Sequence, residues 1–350
     1  MKISIIVPCR NEKRYIGKFL DSVASQELDP CWEMEILVAD GMSDDGTREE
    51  LISRTANLPA LRMIDNPGRV VSTGLNAAIG ASNGDIIVRM DAHTTYASDY
   101  VRQCAKILNE TGADNVGGPW VARGEGVIGS AIAAAFQSPF CAGGGKAHDP
   151  AYEGEVDTVY LGCWRRSIFE SAGYFDPTLV RNQDDEFNFR LLRQGGRVWQ
   201  SPRIRSSYVV RASIGRLFRQ YMQYGYWKVA VIRKHGAVAS WRHAVPPLFV
   251  ASTLLALVSV AGALETGMPA VAQAVATLLT AVWLLYLAAC VWAALSCCYF
   301  LKLPSLLLVP VIIFVHHIAY GTGFVLGLIK PAASGAGDPN RNELFTALSR

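Results

Sequence analysis

Between Ala244 and Ile329 only Glu265 and Lys302 carry a formal charge, and so long an apolar run excludes an ordinary water-soluble fold for the last quarter of the chain. The run divides into three segments, 246–264, 270–295 and 304–329. At 1.5 Å per helical residue, each is long enough for a hydrocarbon core about 30 Å thick. The expectation is a transmembrane region over 244–330 with about three helices, in which Pro310 is a point where the third segment could break and re-enter. A polar tail over 331–350 completes the chain. The first 243 residues are mixed in the manner of a globular domain, so the mean hydropathy of +0.20 averages two unlike parts.

Charge is also unevenly placed. From Arg203 to His243 there are nine Lys or Arg and no Asp or Glu. Such a stretch just before an apolar region predicts a basic amphipathic interfacial segment over 203–243, retained on the cytoplasmic side and drawn to anionic headgroups. A net charge of +3 is too small to indicate nucleic acid. The eight cysteines form no paired CxxC framework and have no histidine partners at zinc spacing, so they read as reduced packing residues. MKISIIVPCRNE turns polar after a short apolar run and reads as a first strand rather than a leader.

In residues 1–202 short apolar runs alternate with helical periodicity, which predicts βα units on a mostly parallel sheet. Strands are expected at 3–7, 35–39, 62–64 and 85–90, with helices over the segments between them. Asn11 is a candidate N-cap for the first helix and Asp45 for the second. Ligands bind beyond the carboxyl ends of such strands. There the loops PCRNE, ADGMSDDGT and MDAH gather Arg10, Asn11, Glu12, Asp40, Asp44, Asp45, Asp91 and His93. The Gly-rich stretch 117–162 reads as a substrate loop. NQDDEFNFRLLRQGG reads as a helix with acids at the favourable end of its dipole and Phe187, Phe189, Leu191 and Leu192 on a buried side.

Four motifs taken in order, SIIVPCRNE, VADGMSDDGT, RMDAH and NQDDEFNFRL, make the chain resemble the family 2 glycosyltransferases. RMDAH, QYMQYGYWK and the terminal apolar segments are similar to the succinoglycan-biosynthesis, ExoA-type branch. The resemblance implies an α/β GT-A fold, a Rossmann-like nucleotide-binding domain, followed by an all-α transmembrane region. It implies an inverting transfer in which a divalent cation neutralises the leaving diphosphate. Mg²⁺ or Mn²⁺ would be held by Asp91, with His93 standing where relatives carry a second aspartate; an imidazole suits Mn²⁺ better. Asp40 matches the aspartate that meets the nucleotide base, and Pro8, Arg10 and Glu12 match the loop against the nucleoside. Asp184, beside Asp185, falls at the position of the base that takes the acceptor's proton, and crowded carboxylates raise one another's pKa. The segment RLFRQYMQYGYWKVAVIRKHG stands where processive relatives carry Gln-x-x-Arg-Trp, but from Gln223 to Trp227 it reads Gln-Tyr-Gly-Tyr-Trp, which does not support processivity; Arg219, Gln220 and Trp227 would instead close on the donor diphosphate or meet a lipid-linked acceptor.

The resemblance therefore implies a multi-pass enzyme of the inner, cytoplasmic membrane with its catalytic domain on the cytoplasmic side. The implied donor is a UDP-hexose and the implied acceptor a polyprenyl-diphosphate-linked oligosaccharide in exopolysaccharide assembly, alongside the other proteins of that assembly. One rival is a polyprenyl-phosphate monosaccharide synthase, whose acceptor is itself a phosphate. Another is a membrane-anchored nucleotide-binding protein without transferase activity, although no G-x-G-x-x-G follows the first strand.

Overall fold

The computed structural model of the protein describes residues 1–210, 212–238, 240–297 and 301–330; the expected tail at 331–350 and Cys298 lie outside them. Along the chain run β1 (Lys2–Cys9), α1 (Lys13–Ala24), β2 (Glu33–Asp40), α2 (Thr47–Thr55), β3 (Leu61–Asp65), α3 (Val71–Ala81), β4 (Ile86–Arg89), β5 (Thr94–Tyr96), α4 (Tyr100–Thr111) and β6 (Asn115–Gly118). Next come β7 (Ala122–Arg123), α5 (Gly126–Gln137), α6 (Pro139–Ala142), β8 (Gly154–Glu155), β9 (Tyr160–Arg165), α7 (Ser167–Ser171), α8 (Gln183–Arg193), β10 (Val198–Gln200) and β11 (Ser206–Val209). The chain then becomes helical, with α9 (Ile214–His235), α10 (Val245–Glu265), α11 (Pro269–Leu295) and α12 (Leu303–Ile329).

These elements form two compact units: Met1–Val121 with Lys146–Val209, and Ala122–Gly145 with Val210 onward. The first is built on an eight-stranded sheet in the order β3-β2-β1-β4-β9-β6-β10-β8. β3, β2, β1 and β4 are parallel, as the βα pattern predicts. β9 runs antiparallel between β4 and β6, so the sheet is mixed. Alternation along β1 sends Ile3, Ile5 and Val7 into one apolar layer with Ile16, Phe19, Leu20 and Val23 of α1. Ile6 turns to the opposite layer with Leu75, Ile79, Phe175 and Phe187. Each such side chain contributes about 1.5–3 kcal/mol by burial, and two full layers pin the register that aims the strand ends.

In the second unit α10, α11 and α12 are long and apolar enough to cross a membrane. α12 continues through Pro310, so the expected break there does not occur. The seam between α9 and α12 depends on missing side chains. A methyl group on Gly225 would lie 2.0 Å from the Tyr320 carbonyl oxygen, and one on Gly323 would lie 1.9 Å from that of Met222. Small residues allow such backbone approach where apolar surroundings offer no hydrophobic drive. Within the basic stretch 203–243, Ser206–Val209 is a strand paired with β5, and most of the middle of α9 is buried. The Gly-rich stretch is also more ordered than a loop. It holds β7 and α5, whose Ala131, Ile132, Ala135 and Phe136 are buried, and Phe136 meets Tyr221 of α9 and His316 of α12. The segment GVIGSAIAAAFQ has no polar face, so its helical period was invisible in the sequence.

Candidate active site

The loops after β1 and β2 are stitched together residue by residue. Gly41 N–H donates to the Cys9 carbonyl (2.7 Å), and Asn11 N–H to Ser43 Oγ (2.8 Å). The Asn11 amide donates to Asp44 (2.9 Å) and accepts from its N–H (3.1 Å). Asn11 is therefore not the N-cap of α1. It sits in the left-handed region at φ 55°, a conformation Asn tolerates, and α1 begins after Glu12. Asp45 is not the N-cap of α2 either, since Gly46 holds that position, but its carboxylate accepts from the first N–H of both helices, Thr47 N–H (3.0 Å) and Lys13 N–H (3.1 Å). Burial opposes ionisation of Asp45, but these hydrogen bonds hold its carboxyl below the usual range.

Asp40 ends β2 with no exposed surface. Its carboxylate accepts from Ser43 N–H (3.0 Å), Ser43 Oγ (2.5 Å) and Arg48 Nη1 (2.8 Å). Arg48 passes its other nitrogen to Asp65 Oδ1 at 2.8 Å, a carboxylate 64% exposed at the end of β3. The group that faces solvent along this line is thus Asp65, and Arg48 connects it to Asp40. Pro8 lies in β1 opposite Ala39, and Arg10 lies over Gly41, where a methyl group would come within 3.1 Å of its side chain.

At the end of β4 stands a residue that the sequence reading passed over. Arg89 is 5% exposed. It donates through Nε and Nη2 to both oxygens of Asp91 (3.1 and 3.2 Å) and through Nη1 to Asp184 of α8. Burial alone would favour loss of its charge, but Asp184 and Asp91 outweigh burial and hold its pKa above the usual value. Burial pushes the pKa of Asp184 up; Arg89 pulls it down, and Asp91 and Asp185 add to the rise. Asp91 and Asp184, 93 residues apart in the chain, are brought to one guanidinium. The signal was available: an arginine inside the apolar strand IIVR must be paired when buried.

Tyr96 fixes the backbone here, its hydroxyl accepting from Asp91 N–H (2.6 Å) and donating to the Asp91 carbonyl (3.1 Å). Two residues on, His93 Nδ1 lies 3.7 Å from Glu12 Oε1, so both predicted residues meet. The His93 ring packs edge-on to Tyr208, which continues to Tyr160 and Trp120. This aromatic wall depends on the pairing of β5 with β11, a contact 114 residues apart in the register Tyr208↔Thr94.

On α8, Asp184 and Asp185 are half-buried near the helix start, where the dipole favours negative charge. Glu186 differs: it is fully buried and paired with Arg190 at 3.1 Å, one turn on. The buried side of α8 carries Phe187 and Leu191; Phe189 is half-buried and Leu192 exposed, because residues two apart on a helix point apart. The three α9 residues belong to the second unit. Arg219 is exposed, Gln220 donates to Tyr224 Oη (3.1 Å), and Trp227 is buried at 3%.

Among the described residues no three or more His, Cys, Asp or Glu stand together as a metal cluster. Asp91 with His93 is nonetheless a donor set that suits Mg²⁺ or Mn²⁺ bound with a diphosphate, because phosphates and water supply the other oxygens.

A model of the family "Glycosyl transferase family 2" matches residues 4–141. The succinoglycan biosynthesis protein ExoA of Rhizobium meliloti (strain 1021) is 30% identical over 327 residues, spanning 91% of this chain and 93% of that protein. A dolichyl N-acetyl-alpha-D-glucosaminyl phosphate 3-beta-D-2,3-diacetamido-2,3-dideoxy-beta-D-glucuronosyltransferase of Methanococcus voltae is 28% identical, spanning 94% and 97%. In fold, the chain is similar to the mannosyltransferase PcManGT of Pyrobaculum calidifontis, solved with GDP-Man and Mn²⁺. That likeness has a TM-score of 0.56 at 16% identity, over 93% of this chain and 86% of that one. The chain belongs to glycosyltransferase family 2, resembles its ExoA-type members along nearly its whole length, and is a glycosyltransferase with a GT-A fold.

Proposed function

We propose that this glycosyltransferase moves a sugar, with inversion, from a UDP-sugar to a hydroxyl of a polyprenyl-diphosphate-linked oligosaccharide during exopolysaccharide assembly. The observation that carries the reading is Asp184, a carboxylate with a raised pKa held beside Asp91 by one buried arginine. The acceptor O–H gives its proton to Asp184 while its oxygen attacks the anomeric carbon; the bond from that carbon to the phosphate oxygen breaks, and the nucleoside diphosphate leaves. Asp91 and His93 would hold Mg²⁺ or Mn²⁺, which neutralises charge on the leaving diphosphate when bound. Asp185 supports Asp184 by keeping the local charge negative. Pro8, Arg10 and Glu12 line the nucleoside, and Asp40 acts on the base through Arg48 and Asp65.

The lipid-linked acceptor is favoured by three helices able to span a membrane and by the printed names of two relatives, one a succinoglycan biosynthesis protein and one a transferase acting on a dolichyl phosphate sugar. The catalytic unit belongs on the cytoplasmic face of the inner membrane, where nucleotide sugars and the basic stretch would both reside.

Membranes containing the protein, incubated with radiolabelled UDP-sugars and lipid extract, should move label into the lipid fraction, and EDTA should stop the transfer until Mn²⁺ is restored. Transfer that ignores EDTA would overturn the metal assignment. If no UDP-sugar is used while a GDP-sugar is, the donor assignment fails.

A further inference from the structure

Arg89 has the geometry of more than a structural counter-ion. Its forked side chain spans both oxygens of Asp91 and still reaches Asp184. One permanent positive charge thus serves two carboxylates. Tyr96 holds the Asp91 backbone from both sides, while Arg89 itself holds both oxygens of the Asp91 side chain. A bare divalent cation approaching Asp91 therefore meets a carboxylate already covered by a guanidinium. A cation that brings its own diphosphate oxygens arrives with its charge offset and needs only a share of Asp91.

We propose that Arg89 is a positioning residue with two effects: it sets the distance between Asp91 and Asp184, and it reserves Asp91 for a cation that arrives with the donor diphosphate. Order of binding follows from this. The donor-free protein binds Mn²⁺ poorly, and donor and metal enter together. Asp184 is then already placed relative to the bound phosphate. The inference rests on the roles given above to Asp91 and Asp184.

The test uses the full-length protein in detergent and two variants, Arg89→Met and Arg89→Lys. Binding of Mn²⁺ alone is followed by its paramagnetic resonance signal, and transfer is followed with donor and lipid acceptor. Arg89→Met should bind bare Mn²⁺ about tenfold more tightly than wild type, the scale of effect that groups around a metal ligand exert. Its transfer rate should fall about 100-fold at saturating donor, in kcat rather than KM, as expected for a displaced base. Arg89→Lys keeps the charge but not the fork, so its Mn²⁺ affinity should lie between the two while its kcat also falls. A merely structural arginine would leave Mn²⁺ affinity unchanged or lower in both variants, and that outcome overturns the proposal. So does full transfer by Arg89→Met. Should Arg89→Met fail to fold, Arg89→Lys decides by the same two readings. Absence of transfer by the wild-type protein would sink the proposed function instead, while the Mn²⁺ titrations would still judge Arg89.

Discussion

The strand-end crevice and the α9–α12 seam are both tightly specified, by opposite means. In the crevice, position is held by charged and hydrogen-bonded side chains: Asp45 accepts from the first N–H of two helices, Arg48 links Asp40 to Asp65, and Arg89 links Asp91 to Asp184. In the seam, position is held by side chains that are missing, because Gly225 and Gly323 let two backbones touch. A polar network with shared partners tolerates an isosteric change that keeps its hydrogen bonds, since Arg89 retains both oxygens of Asp91 when Asp184 changes. A glycine seam tolerates neither bulk nor branching, and is indifferent to charge elsewhere. Chemistry can therefore be removed from the crevice without unfolding it, whereas the seam fails as structure.

The largest effect expected from this contrast is on catalysis. Asp184→Asn keeps the shape and a partner for Arg89 but cannot take a proton, so transfer should fall about 10²- to 10⁴-fold with little change in the midpoint of thermal unfolding. A comparable loss of folding midpoint would show the crevice to be as brittle as the seam. Next in size is Arg190→Met on α8, which removes the guanidinium paired with the fully buried Glu186 and bonded to the Ala172 and Tyr174 carbonyls and should cost about 3–5 kcal/mol of stability, read by denaturation in detergent. Gly323→Leu should destabilise the second unit by about 1–3 kcal/mol through overpacking. Detergent-solubilised variant should lose its helical signal at lower temperature, while Gly262→Leu, where a side chain would meet open space, should not.

The smallest effect concerns pH. Glu35 is buried, which by itself raises its pKa, but Ser4 Oγ (2.6 Å), Asn83 N–H (2.5 Å) and Lys2 bring it below the ordinary 4.5. A carboxylate depressed in the folded state contributes stability that is present above the unfolded pKa and is lost as pH falls through the folded one. The difference in melting midpoint between wild type and Glu35→Gln should hold steady down to about pH 5 and shrink below 4.5. A difference that grows on acidification would contradict the assignment.

Much of the catalytic unit was legible along the chain. Strands 3–7 and 35–39 lie within β1 and β2, and the helix from Thr47 begins where expected, because local apolar periodicity is a property of neighbours in sequence. The three apolar helices were readable for the same reason, since length and hydropathy need no partner. Asp45 stands one residue before Gly46, the N-cap of α2; its bond to Thr47 N–H is local, but its bond to Lys13 N–H spans 32 residues. Asn11 was misread because its partner, Asp44, is 33 residues away.

What only the tertiary structure decided is pairing at long range. β9 inserts antiparallel between β4 and β6, α5 joins the helical unit, and Glu186 is spent on Arg190 while Asp184 meets Arg89. Sequence determined which residues were charged, apolar or small, and hence which elements would form and which end of the sheet would gather acids. It did not determine which acid a buried arginine would choose, because that depends on desolvation and distance between segments 95 residues apart.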